Sequence, residues 1–83
     1  MFKVVFEKSV EKQFLKLEKN IQNQIALKII ELKKGNFHND KALKGNYKGK
    51  FRKRAGNYRI IYVKEDDVLI ITLLRIAHRK EVY

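Results

Sequence analysis

Apolar residues along this chain recur first every two positions, then every three or four, then every two again. In FKVVFE, from Phe2 to Glu7, Phe2, Val4 and Phe6 alternate with polar or outward positions, which predicts a first strand. Val10, Phe14 and Leu17 then recur at helical spacing, with Ser9 in place to cap the helix and Glu11 in its first turn. Lys19-Asn20 interrupts that pattern. Asn20 is a second candidate cap, after which Ile21, Ile25, Ile29 and Leu32 form an apolar stripe with Ala26 and Ile30 beside it, and Gly35 closes the helix. Two helices separated by one short break predict an antiparallel hairpin lying on a sheet.

The segment from Asn36 to Asn46 has no period and reads as a loop, with Ala42 to Lys44 packing against the domain. Three strands are predicted beyond it, at Tyr47 to Ala55, Tyr58 to Lys64 and Val68 to Ala77, joined by turns at Ala55-Gly56-Asn57 and Glu65-Asp66-Asp67. The last, VLIITLLRIA, is almost continuously apolar, which predicts a central strand covered on both faces. The expected fold class is α+β, ordered β-α-α-β-β-β, with the helical hairpin packed on a mainly antiparallel, twisted sheet. Residues 1–83 are expected to form a single domain.

Charge changes this picture from a fold to a partner. Twenty Lys and Arg against nine Asp and Glu give a formal net charge of +11, and nine cations with no acid lie between Lys41 and Lys64. In YKGKFRKRAGNYR, strand alternation sends Lys48, Lys50, Arg52 and Arg54 to one face and Tyr47, Phe51 and Ala55 to the other, while the turn brings Arg59 back beside the cations. A row at that spacing suits successive phosphates of a nucleic acid; the plain alternative is a solvated basic strand. Tyr47, Phe51, Tyr58 and Tyr62 are expected in the core.

Other chemistries find no support. Without cysteine there is no disulfide, thiolate zinc site or thiol nucleophile, a composition that suits the cytoplasm. His38 and His78 lack metal-pair spacing, the acids are scattered, and neither GxxxxGK[ST] nor GxGxxG occurs, so no metal and no cofactor is expected. The N-terminus has no continuous apolar run, so neither a signal peptide nor a membrane span is expected.

The order of basic strand, tight turn, GNYRIIYV, apolar strand and IAHRKEVY resembles the RelE-type toxins of the RelE/ParE superfamily over nearly the whole length. The resemblance implies the RelE-like microbial RNase fold and the toxin of a type II toxin-antitoxin module. It further implies a metal-independent endonuclease that cuts messenger RNA in the ribosomal A site by 2′-hydroxyl attack, leaving a 2′,3′-cyclic phosphate. The implied partners are the ribosome, messenger RNA and a cognate acidic antitoxin, through which the toxin mainly oligomerises.

Carried over by the same resemblance, Arg59, Arg79 and Tyr83 occupy the catalytic positions. Lys50 and Arg52 match the assisting basic positions, with Arg54 and Lys48 as further RNA contacts. The residue types fit the chemistry. Guanidinium groups stabilise charge on a five-coordinate phosphorus, and surrounding cations favour a tyrosine phenolate as base. His78 competes for that role, but alternation from Arg79 turns it away. Two other readings remain from the sequence: a ParE-like DNA gyrase inhibitor, and a basic ribosome- or nucleic-acid-binding module without activity.

Overall fold

A computed structural model describes residues 1–81 and arranges them as two helices on a five-stranded sheet. The elements are β1 (Lys3–Phe6), α1 (Lys8–Leu15), α2 (Lys19–Lys33), β2 (Lys41–Ala42), β3 (Phe51–Ala55), β4 (Tyr58–Glu65) and β5 (Ile70–His78), with 3-10 turns at Gly45–Tyr47 and Arg79–Glu81. Strand order is β1-β5-β4-β3-β2. β1 runs parallel to β5 and the other pairs are antiparallel, giving the α+β architecture that the apolar pattern predicts. α1 packs on β5 and β1, α2 on β3 and β1. Between them Val10, Ile25, Ile29 and Leu32 meet Ile60, Tyr62, Ile71, Leu73 and Ile76 in one core. Among the described residues no helix is long and apolar enough to cross a membrane.

Both helices begin before the caps expected from sequence. Glu7 and Glu18 take the N-cap positions without side-chain cap bonds, which leaves Ser9 and Asn20 inside the helices. The Gln22 side-chain amide donates to the carbonyls of Phe14 and Leu17, both at 3.0 Å, and so covers the exposed end of α1 from α2. The end of α2 follows the predicted role of Gly35: at φ 77° it donates to Leu32 O, while Asn36 donates back to Glu31 O, the paired bonds of a Schellman turn.

The sheet departs from expectation in three places. β3 starts at Phe51 and not at Tyr47, because Gly45 (φ 65°) and Gly49 (φ 89°) take left-handed conformations that wind Tyr47 into a 3-10 turn. Lys48 therefore leaves the cationic row. The expected loop contains β2, whose Lys41 and Ala42 pair with Arg52 and Phe51. Finally, β4 is the middle strand, with β5 beside it, and β5 starts at Ile70 after a four-residue turn in which Leu69 sits at φ 56°. A bulge opposite Ile61 and Tyr62 shifts the alternation of β5, so Leu73 and Ile76 both face the helices. Its other face is only partly covered: Thr72, Leu74 and Arg75 are half-buried there.

The β3–β4 hairpin is tight. Ala55 pairs with Tyr58, leaving Gly56 and Asn57 as a two-residue loop with Gly56 at φ 61°. Positive φ at the first position alone is the type II′ turn, whose twist matches a hairpin.

Candidate functional site

The helix-free face of the sheet collects the cations. β3 presents Arg52 and Arg54 there, β4 presents Arg59 and Ile61, and β5 presents Arg75 and Ala77. Register makes this a pattern of like charges. Lys41 lies opposite Arg52, and Arg54 lies opposite Arg59, an arrangement that destabilises a sheet unless an anion intervenes. Among the described residues Arg52 and Arg54 make no hydrogen bond or ion pair.

Two of the arginines are held by backbone carbonyls. Arg59 Nη1 donates to Gly56 O at 3.2 Å and Tyr58 O at 3.1 Å, fixing the guanidinium beside the hairpin turn. Arg75 Nη2 donates to Glu81 O at 3.0 Å. The Arg79 amide donates to Asn57 O at 2.7 Å, so the residue that follows β5 is tied to the same turn as Arg59, with its side chain exposed. His78 is elsewhere. It pairs with Tyr58 on the helix face, their rings 5.3 Å apart and edge-on, and its Nδ1 accepts the Lys80 N–H. Tyr83 lies outside the described residues. Lys48 is exposed in the turn before β3, and Lys50 is half-buried just ahead of that strand.

Beside the arginines lies a cleft of about 380 Å³. Ile61, Leu74 and Ala77 give it an apolar floor, Tyr47 and Lys50 one side, Arg75 and Glu7 the other. Lys50 Nζ stands 5.5 Å from the centre of the Tyr47 ring, a cation–π contact that keeps the two together.

Lys53, within the basic run, has the opposite environment. It points to the helix face and is 2% exposed. Its Nζ lies 3.0 Å from Asp40 Oδ1 and 3.4 Å from Glu31 Oε1, while Lys28 reaches Glu31 Oε2 at 3.2 Å. Tyr62 donates a short hydrogen bond to Asp40 Oδ2. Burial, and then the bond to Asp40 and its charge, hold the Tyr62 phenol far above its ordinary value. Burial alone would push the Glu31 carboxyl up, but the hydrogen bonds and charges of Lys28 and Lys53 outweigh it and hold the group below its ordinary range. Sequence reasoning passed over this cluster. The available signal was that Lys53 shares the alternation of Phe51 and Ala55, with Asp40 the last acid before the basic run.

Known proteins share this fold. The family model described as ParE toxin of type II toxin-antitoxin system, parDE, matches residues 4–83. No curated protein matches. Among solved structures, the RelBE2 toxin-antitoxin complex of Mycobacterium tuberculosis is similar at 25% identity over 94% of this chain and 98% of that one, with a TM-score of 0.68. An archaeal RelE-RelB complex from Pyrococcus horikoshii shares 24% identity over 98% of each chain, at a TM-score of 0.75. The isolated RelE toxin of Escherichia coli shares the fold at 17% identity, covering 94% of this chain and 84% of that one, at a TM-score of 0.79. A match over nearly every residue, joined to a shared fold, places this chain in the ParE toxin family of type II toxin-antitoxin systems, within the RelE/ParE superfamily.

Proposed function

We propose that this toxin is a metal-independent endoribonuclease that cuts translated messenger RNA in the ribosomal A site. The observation that carries the reading is the cationic face, where Arg52 and Arg54 make no hydrogen bond or ion pair among the described residues and Arg52 opposes Lys41, beside an apolar-floored cleft. RNA supplies the nucleophile. The O2′–P bond forms, the P–O5′ bond breaks, and the protein accepts the 2′-hydroxyl proton, balances charge on phosphorus and assists the departing 5′-oxygen. Arg59 and Arg79, drawn to one turn, bracket the phosphate; Arg52, Arg54 and Lys50 hold the flanking backbone, with Lys48 an outer contact. Tyr83 is the base. The packing of His78 against Tyr58 on the other face supports Tyr83 over His78. An acidic antitoxin neutralises the toxin by replacing RNA phosphates with carboxylates on this face, and assembly runs mainly through it in the cytoplasm.

Primer extension on messages under translation tests the reading: cuts should recur in codon register, and Tyr83→Phe should lower cleavage by about 10²–10⁴-fold with binding retained. Full activity in Tyr83→Phe together with loss in His78→Ala would move the base to His78. The description of the matching family favours a second reading, inhibition of DNA gyrase. Loss of supercoiling by purified gyrase with no message cut would select it.

A further inference from the structure

We propose that the cleft beside the arginines is a nucleobase pocket and that Glu7 makes it select guanine; the inference rests on the ribonuclease reading and names the base which that site prefers. Among the described residues Glu7 is the one acid lining the cleft. It stands at the end of β1, where its backbone amide continues the sheet by donating to Leu73 O at 3.2 Å. It occupies the N-cap position of α1, yet its side chain makes no cap bond. Nor does it pair with Arg75 on the same side of the cleft, whose guanidinium donates instead to Glu81 O. Among the described residues its carboxylate has no hydrogen bond or ion pair at all, on the most cationic face of a chain with twenty Lys and Arg. A surface carboxylate so placed ordinarily takes a cation. This one keeps both oxygens available to the cleft.

The other walls fit a base. Ile61, Leu74 and Ala77 form a floor suited to a π-face, the Tyr47 ring supplies a stacking edge, and Lys50 and Arg75 flank the opening where the attached phosphates would lie. A volume of about 380 Å³ is at the small end for ligand sites. Recognition of unpaired RNA bases combines such stacking with hydrogen bonds to the Watson–Crick edge. A carboxylate only accepts, so it selects an edge rich in donors. Guanine offers two adjacent donors there, N1–H and the N2 amino group, matching the two carboxylate oxygens. Adenine and cytosine each offer one amino donor next to a ring acceptor. Uracil flanks its single N–H with two carbonyl oxygens that the carboxylate repels.

The experiment has two arms on the free toxin, each with wild type and Glu7→Gln. Because the side chain is exposed and caps nothing, the substitution leaves the fold intact, while glutamine replaces one of the two acceptors by a donor. In the first arm, GMP, AMP, CMP and UMP are titrated against the amide signals of Ile61, Leu74 and Ala77. GMP should move these signals and bind at least about tenfold tighter than UMP, as expected for a bidentate contact, and Glu7→Gln should remove the difference. In the second, cut positions are mapped across translated messages. Enrichment for guanine at the cut should fall about tenfold in Glu7→Gln, with cuts at other bases retained. Equal GMP and UMP binding by the wild type, shifts confined to other residues, or an unchanged preference in Glu7→Gln would overturn the proposal. If no message is cut while GMP is still preferred through Glu7, the ribonuclease reading falls and the pocket stands.

Discussion

One strand, β3, carries cations into two opposite environments. Lys53 enters the core, where Asp40, Glu31 and the Tyr62–Asp40 bond enclose it, whereas Arg52 and Arg54 stand on the open face facing other cations. The same charge is structural on one side of the pleat and uncompensated on the other. The difference follows from which carboxylates the topology delivers: α2 and the segment before β2 bring Glu31 and Asp40 to the helix face, while on the open face, among the described residues, only Glu7 reaches the cleft. Local sequence composition is nearly uniform through this run, so the two roles are assigned by tertiary neighbours.

The comparison breaks most visibly at Lys53. Lys53→Ala leaves the Asp40 carboxylate, 4% exposed, without its cation, and should cost about 3–5 kcal/mol in urea unfolding. Replacing the pair together, as Lys53→Met with Asp40→Leu, should recover much of that loss, since removing both charges also removes their desolvation. If the single and double variants are equally unstable, the cluster is held by packing and not by charge.

Next in size, Tyr62→Phe deletes a hydrogen bond to a buried carboxylate and should cost about 1.5–3 kcal/mol by the same measurement. The pH dependence has a defined sign at each end. The phenol of Tyr62 is raised on folding, so its contribution is complete below the ordinary tyrosine value of 10.0 and is lost as the pH rises toward the folded value. Glu31 is lowered, so its contribution is present above 4.5 and is lost as the pH falls through the folded value. Thermal melts of Tyr62→Phe should therefore lose less stability than the parent above pH 10, and those of Glu31→Gln less below pH 4.5.

The smallest effect on folding is expected on the open face. Arg52→Ala and Arg54→Ala should change stability by no more than about 0.5 kcal/mol, with Arg54→Ala on the favourable side because it relieves repulsion from Arg59. Under the proposed ribonuclease function each should instead weaken RNA binding and reduce the slope of log K against log salt by about 0.7, the value for one single-strand phosphate. A large loss of stability with an unchanged salt slope would show that the two faces do not divide the work in this way.

How much of this was legible in sequence depended on whether a signal was local. Periods of two and of three to four located every long element, and Gly35 and the Gly56 turn were readable because positive φ demands particular residues. The boundaries of β3 were not. Nothing in the sequence beside Gly45 and Gly49 marks their left-handed conformations, which remove Tyr47 and Lys48 from the strand. The two-residue β2 has no period to detect, and the bulge in β5 hides within an apolar run in which inward and outward positions look alike. For the candidate site, the basic row and Arg59 could be named from strand alternation and the turn, and Arg79 from the resemblance alone. Glu7 could not, because nothing beside it in sequence announces that the end of β1 meets Leu74 across the sheet.

The parallel pairing of β1 with β5 bears on the order of synthesis. Lys3 is paired in register with Ile70, and α1 rests on β5, so the first strand has no sheet partner among the described residues, and the first helix lacks the strand it packs on most, until β5 has been made. A nascent chain that has not yet released β5 holds a β3–β4 hairpin and α2 beside it, but α1 lacks its main support and the core is not closed. Such long-range closure is slow compared with local pairing. The toxin thus closes its core only after β5 has been made, and a chain truncated before Ile70 yields no folded product.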